Sequence, residues 1–282
     1  MTAPFARPPP EEIAAARRLL APFRALFDPV FVGLDRVPLT RRPLLFVGNH
    51  TLYGALDAPH LWMELHDRHD LFLRGLGEHA HFKIPGWGAL LTRWGIVDGR
   101  PEEAGRLLAA GEPVLVFPGG TREVAKRRDE LYQLVWKQRL GFARLAIQHG
   151  ATVLPFGMLG ADEAWTIVRE GQELIEGRAG RVLKPVYRAL GMPQESAWPL
   201  ALGVLGTPIP RPVRLYFHVG EPIDAGAFAG EGDDGAWALR RAVEASIYGG
   251  LDTLRALREE DPGPMPLRRA LRAARVAAGL KL

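Results

Sequence analysis

The sequence contains no cysteine, which excludes disulfides, thiolate metal sites and a cysteine nucleophile and leaves the compartment open, with the cytoplasm as the default. Its two serines, Ser196 and Ser246, lie outside any G-x-S-x-G elbow, so a serine hydrolase is not expected. No H-E-x-x-H pattern occurs, and the GLGEH at Gly75 lacks the third glycine of a dinucleotide fingerprint. Met1 to Pro10 is proline-rich, without the apolar core of a signal peptide. Ala197 to Ile209 is apolar, but it is broken by Pro and Gly and is shorter than the roughly 20 residues needed to span a bilayer. What remains, 47% hydrophobic and 24% charged over 282 residues, is the composition of a globular protein with a substantial core.

The net charge of +4 is carried by one end. Residues 262–282 hold five basic groups (Arg268, Arg269, Arg272, Arg275 and Lys281) and no acid, leaving the rest of the chain near −1. From Leu267 onward these arginines fall on one side of a helix and Leu267, Ala270, Leu271, Ala274 and Ala278 on the other. Such a helix suits an anionic membrane surface or its own domain. The tail lacks aromatics and any groove-reading motif, so no nucleic acid partner is expected. Glu11 to Phe27 reads as a second amphipathic helix, which either packs on the core or dips Phe23, Leu26, Phe27 and Phe31 into a bilayer surface. The expected organisation is an N-terminal helical segment (1–35), an α/β domain (36–260) and the basic tail (261–282).

Along the middle of the chain, apolar runs alternate with helical periodicity. Strands are expected at 44–47, 71–74, 95–98, 114–117 and 152–156, with helices at 58–69, 101–110 and 138–149 and a Pro-Gly turn followed by a helical stretch within 82–94 between them. Further helices are expected within 172–190 and at 237–257. The alternation predicts an α/β fold with a largely parallel or mixed central sheet and helices on both faces.

Two strand ends carry chemistry. After Leu44–Val47, Gly48 and Asn49 break the strand and deliver His50 at its C-terminal end, where open α/β sheets place their sites. Asp57 follows seven residues later, just before Ala58-Pro59, at an expected helix N-cap. On a continuous helix the two would be roughly 10 Å apart along the axis. A turn through Gly54 is therefore needed to bring Asp57 to His50 Nδ1. After Val114–Phe117 comes Pro118-Gly119-Gly120, then Thr121, Arg122 and Glu123. Consecutive glycines free backbone N–H groups to converge on an anion, and Arg122 adds a bidentate donor. The remaining histidines of this region, including His66, His69, His79 and His81, lack metal-site spacing.

The order GNH…D, FKIPGWGALLTRWGIV, VFPGGTRE and GFARLAIQHGATVLPFG resembles the four-block pattern of the glycerolipid acyltransferases over Leu44 to Gly160, with a weaker echo at VRLYFHVGEPI (Val213 to Ile223). In that superfamily an H-x4-D motif supplies the catalytic histidine and an F-P-E-G-T-R-type block binds the acceptor. The resemblance implies His50 as catalytic base with Asp57 as its partner, and Pro118, Gly119, Gly120, Thr121, Arg122 and Glu123 as the acceptor-binding block. Here six residues, not four, separate His50 from its carboxylate, and Gly119 stands where the phospholipid-making branch has Glu. The Pro-Gly-Gly block looks more like the branch of diacylglycerol acyltransferases and phytyl-ester-synthase-like enzymes. The implied activity is acyl transfer from an acyl thioester, acyl-CoA or acyl carrier protein, to a neutral lipid hydroxyl. A lysophospholipid or 1-acylglycerol-3-phosphate acceptor, or a non-catalytic lipid-binding role on the same fold, are the alternatives. No cofactor or metal is expected, and the place of work is the inner face of a membrane, held peripherally.

Overall fold

The computed structural model describes residues 6–38 and 42–261; the expected basic tail helix lies outside them. Pro10 at the first turn starts α1 (Pro10–Phe27), and Asp28 in the left-handed region ends it. Then follow β1 (Val30–Val32), β2 (Leu44–Gly48), α2 (Ala58–His69), β3 (Arg74–Gly77), α3 (His79–Phe82), α4 (Trp87–Arg93), β4 (Val97–Asp98), α5 (Pro101–Ala109) and β5 (Val114–Val116). Next come α6 (Thr121–Val124), α7 (Gly141–Gln148), β6 (Thr152–Leu159), β7 (Thr166–Arg169), α8 (Gly171–Glu176), α9 (Gly180–Leu190) and β8 (Leu200–Leu202). The domain closes with β9 (Tyr216–Val219), β10 (Ile223–Asp224) and α10 (Gly232–Glu260).

Eight strands form one mixed sheet in the order β1-β9-β6-β2-β5-β3-β4, with β10 on β6. The five strands from β6 to β4 run parallel, whereas β9 and β10 are antiparallel to β6. The sequence expectation of a largely parallel or mixed sheet therefore holds. The first 35 residues supply more than a helix, because β1 pairs in parallel with β9 and becomes the sheet edge.

Side chains along the central strands alternate between two cores. Leu45, Val47, Val114 and Val153 pack with α5, α7 and α10 on one face. Leu44, Phe46, Leu115, Leu154 and Phe156 pack with Phe27 of α1 and Leu61 and Leu65 of α2 on the other. Because both faces are covered, β2 is buried along its whole length, and its C-terminal end is the place where its chain can meet a ligand. Of the four aromatic and aliphatic residues considered for a bilayer, Phe27 is fully buried and Phe31 stacks on Phe217 at 4.6 Å. Phe23 and Leu26 remain exposed, together with Leu19.

Two elements differ from expectation. The ladder of β3 starts at Arg74, not Leu71: Phe72 and Leu73 are buried ahead of the ladder, and Gly75 and Gly77 form the strand under Ile96. A Cβ at position 77 would lie 3.0 Å from Ile96 Cγ2, so the close approach of the next strand selects glycine where propensity disfavours it. The 172–190 helix is two helices, α8 and α9, split around Gly177. At Gly180 a Cβ would fall 1.8 Å from the Ile175 carbonyl oxygen, so the tight turn between the two helices requires glycine there.

Candidate active site

The site is built on the ends of two neighbouring parallel strands, β2 and β5, paired Val47 to Val116. Beyond Gly48 the chain leaves the ladder, and the buried Asn49 amide takes over: Nδ2 donates to the Met158 carbonyl at 3.0 Å, and Oδ1 accepts from the Met158 N–H at 2.7 Å. This double bond to β6 fixes the backbone from which His50 projects.

The loop between His50 and Asp57 is a tight turn, as the spacing requires. Gly54 N–H donates to the Thr51 carbonyl at 2.9 Å, Tyr53 and Gly54 both lie in the left-handed region, and Asp57 comes back to the imidazole. His50 Nδ1 is 3.2 Å from Asp57 Oδ2. The same carboxylate oxygen accepts from the Thr51 N–H at 3.0 Å and its hydroxyl at 2.6 Å, and the other oxygen caps α2 through the Ala58 N–H. Asp57 is 1% exposed. Burial pushes its carboxyl up, but the His50 charge and the bonds from His50 and Thr51 outweigh that and hold it at about 2. It is thus a fixed anion that orients Nδ1 and leaves Nε2 for a substrate. The ring is held from both sides. Phe117 stacks on it at 3.8 Å with an interplanar angle of 9°, and a Cβ at Gly54 would sit 2.3 Å from Cε1.

The diglycine bend at the end of β5 lies against this ring through Phe117, but its glycines serve reasons other than the expected pair of free donors. Gly120 N–H is spent on the Phe117 carbonyl at 2.9 Å, and its φ of 52° is what demands glycine. Gly119 is demanded by a neighbour: a Cβ there would fall 2.2 Å from Glu123 Oε2. The carbonyls of Pro118 and Gly119 both accept from Arg139 Nη1 at 2.9 Å, which pins the bend from outside. Among the described residues, Gly119 N–H is the amide of the pair left unengaged.

The next three residues turn inward. Thr121 donates its hydroxyl to Glu78 Oε2 at 2.7 Å. Arg122, 6% exposed, pairs through Nη2 with Glu130 and through Nη1 with the Ala125 carbonyl at 3.3 Å. Its guanidinium is therefore committed to the protein and is not an open donor at the rim. Glu123 is fully buried, facing the His50 backbone N–H and the Trp136 indole N–H without reaching hydrogen-bonding geometry with either. Burial pushes its carboxyl up to about 8 against the pull of Lys126, so it is held protonated at neutral pH.

Sequence reasoning missed the groups beneath. Lys126 and Asp162, both inaccessible to solvent, pair at 3.0 Å. Asp162 also accepts from the Leu52 N–H at 2.6 Å and the Tyr132 N–H at 3.3 Å, so a buried ion pair underpins the loop between His50 and Asp57. Nothing in the local pattern around Lys126 marks it as buried. The other histidines are dispersed: His79 pairs with Asp98, His81 Nδ1 accepts from the Trp87 indole N–H, and the buried His60 is held neutral, its pKa lowered by burial and by Arg24 to about 4. Among the described residues no group of three or more His, Cys, Asp or Glu is placed to hold a metal ion. A polar depression lined by Arg17 and His66 to Asp70 lies at the far end of α2 from Asp57. That is about 18 Å along the helix axis, so the depression is not part of this site.

An oriented imidazole at a strand end, walled by an aromatic ring and a glycine bend, is an arrangement that suits proton-transfer chemistry on an α/β scaffold. Residues 29–159 match the family model described as Acyltransferase. It is 30% identical over 251 residues to a protein named phytyl ester synthase 2, chloroplastic, from Arabidopsis thaliana, matching 82% of this chain and 34% of that one. It is 34% identical over 182 residues to the human DGAT1/2-independent enzyme synthesizing storage lipids, matching 63% of this chain and 52% of that one. The chain thus spans about a third of the length of the phytyl ester synthase it matches. The crystal structure of the 1-acyl-sn-glycerophosphate (LPA) acyltransferase PlsC from Thermotoga maritima has the same fold, with a TM-score of 0.52 at 19% identity over 87% of this chain and 79% of that one.

Proposed function

We propose that this protein is an O-acyltransferase that moves a fatty acyl group from acyl-CoA to the hydroxyl of a neutral lipid such as diacylglycerol or a long-chain alcohol. The observation that carries the reading is the His50–Asp57 pair, with Nδ1 held at 3.2 Å by a carboxylate that stays ionised. In the proposed reaction His50 Nε2 takes the acceptor's hydroxyl proton as the oxygen attacks the thioester carbonyl. The tetrahedral oxyanion collapses, the C–S bond breaks, and the imidazolium returns the proton to the departing thiolate. Asp57 sets the tautomer and stabilises the imidazolium, as the acid of a catalytic triad does. With no cysteine in the sequence and neither serine in a nucleophile elbow, the acceptor attacks directly, without an acyl-enzyme.

A neutral acceptor is supported by the enclosure of Arg122 in its pair with Glu130 and by the names of the relatives. Peripheral work at a membrane surface fits the lipid acceptor, and among the described residues no helix is long and apolar enough to cross a membrane. The test is transfer from labelled acyl-CoA to diacylglycerol. Turnover that disappears in His50→Ala supports the reading; bound lipid with no turnover in the unaltered protein refutes it in favour of a carrier.

A further inference from the structure

The stretch from Gly171 to Arg211, between β7 and β9, stands apart from the two cores. Among the described residues its strand, β8, pairs with β7 and stands off the main sheet, and few of its side chains reach either main hydrophobic cluster. Within it, residues 177–193 carry Arg178, Arg181, Lys184 and Arg188 and no acid. The remainder of the chain up to residue 261 is net acidic, with 27 basic against 32 acidic residues, so this is a local concentration of positive charge. None of the four takes part in an ion pair among the described residues.

On α9 the half-buried side chains are Leu183, Tyr187 and Leu190, the inward stripe, and every other residue from Arg181 to Ala189 is exposed. Val182 is 70% and Val186 47% exposed, one turn apart and flanked by Arg181, Lys184 and Arg188. An outward apolar stripe bordered by lysine and arginine is the pattern of a helix lying in a lipid interface. The segment that follows continues it. Trp198 and Leu200 are exposed, Ile209 is 62% exposed, and Leu205 stands 96% exposed at the tip of a turn. Leu205 also occupies the left-handed region (φ 49°), an unfavourable backbone for a leucine that displays its side chain to solvent.

This surface is attached to the catalytic loop. Tyr53, between His50 and Asp57, donates its hydroxyl to the Pro199 carbonyl at 2.8 Å and accepts from the Ala201 N–H at 3.0 Å. Its ring lies edge-on to Trp165 and 5.9 Å from Trp198. The Tyr187 hydroxyl accepts from the Trp198 N–H at 2.9 Å, joining α9 to the same strand.

We propose that α9, Trp198 and the loop carrying Leu205 form a docking surface for an anionic lipid bilayer, with Arg181, Lys184 and Arg188 at the headgroups and Val182, Val186 and Leu205 in the apolar boundary. The purpose assigned to it, delivering a lipid acceptor beside His50, rests on the acyltransferase reading; the surface itself rests on charge and exposure. Each cation near an anionic membrane contributes an affinity factor of about five.

The test is sedimentation of the full chain with vesicles of phosphatidylcholine alone and of phosphatidylcholine with phosphatidylglycerol, without any acyl donor. Expected is binding to the anionic vesicles that weakens with salt, falls about a hundredfold in the triple change Arg181→Gln, Lys184→Gln, Arg188→Gln, and falls about tenfold in Leu205→Asp. All these positions are exposed, so unchanged thermal melting will accompany the loss. Equal binding to neutral vesicles, or anionic binding that survives the triple change and is lost instead in Leu19→Asp on α1, overturns the proposal. So does a dimer that Leu205→Asp splits while vesicle binding persists, since the occupant is then a second copy. Because binding is measured without turnover, an inactive protein that binds leaves the surface standing, whereas turnover of a water-soluble acceptor without vesicle binding leaves only the enzyme.

Discussion

Gly54 and His50 touch across the loop that joins them, so that a methyl group at position 54 would lie 2.3 Å from the imidazole Cε1. The same glycine has φ of +64°, a conformation that costs an L-residue about 1–2 kcal/mol. Two demands therefore meet at one residue: the turn that returns Asp57, and the close approach of the backbone to a ring that Phe117 covers on its face.

Gly54→Ala is accordingly expected to lower stability by about 1–2 kcal/mol and to push the ring off its seat. A displacement of this kind costs on the order of a hundredfold in turnover. Thermal denaturation and steady-state kinetics with acyl-CoA and diacylglycerol read the two effects separately. Full activity in this variant would mean that the position of the His50 ring does not matter to the reaction.

For Asp57→Asn the geometry predicts a sharper loss. An amide donates to Nδ1 and leaves the proton on Nε2, the wrong tautomer for a base; the corresponding change in a serine protease triad costs about 10⁴-fold in kcat. Because the native carboxyl is held at about 2, below its ordinary value of 3.8, the ionised state stabilises the fold above pH 4. That stability disappears as pH falls from about 4 towards 2. Asparagine removes this acid limb, so an unfolding curve against pH that is unchanged between the two proteins in that range would contradict the assignment.

Much of this site was legible in the sequence because it is written in local breaks. The Gly48-Asn49 break, the need for a turn at Gly54 and the capping of α2 by Asp57 all follow from residues close in the chain, and the structure brings His50 and Asp57 together as that spacing requires. The fold class followed from alternation alone. What local pattern could not supply was direction. Arg122 reads as a rim donor after a glycine turn, with Glu123 beside it in the acceptor-binding block, yet both point inward, because Glu130, Trp136 and Lys126 arrive from farther along the chain. Lys126 and Asp162 are 36 residues apart and recognisable as partners only once β5 and β6 flank β2. The same limit explains β3, where contact with Ile96 decided the strand against the apolar run beside it.

Glu123→Gln tests the inward carboxyl. Since its pKa is raised from 4.5 to about 8 by burial, the folded protein keeps a proton that the unfolded chain releases between those values. Stability must then fall as pH rises from about 4.5 to 8 and level off above it. Glutamine keeps the shape and cannot ionise, so the variant is expected to equal the parent near pH 4.5 and to be the more stable protein at pH 8. Denaturant titrations at the two pH values decide it; parallel stability curves would show that Glu123 is not buried as a neutral acid.

Arg122 separates the two acceptor classes. Its guanidinium bonds the Glu130 carboxylate and the Ala125 carbonyl and is 6% exposed, so its positive charge is already matched inside the protein. Removing it in Arg122→Ala strands Glu130 and is expected to cost about 1–3 kcal/mol of stability, the penalty of an unsatisfied, largely buried polar group. Any loss of turnover should then be shared equally by diacylglycerol and by 1-acylglycerol-3-phosphate, because the effect passes through the bend and not through a headgroup. Were the guanidinium instead to swing out and bind phosphate, only the phosphate-bearing acceptor would suffer, by the roughly tenfold or more that a charge-assisted hydrogen bond of about 1.5–3 kcal/mol contributes. Acceptor competition in the variant, read as a ratio of kcat/KM values, distinguishes the two outcomes even if the protein is less stable, since both acceptors see the same folded fraction.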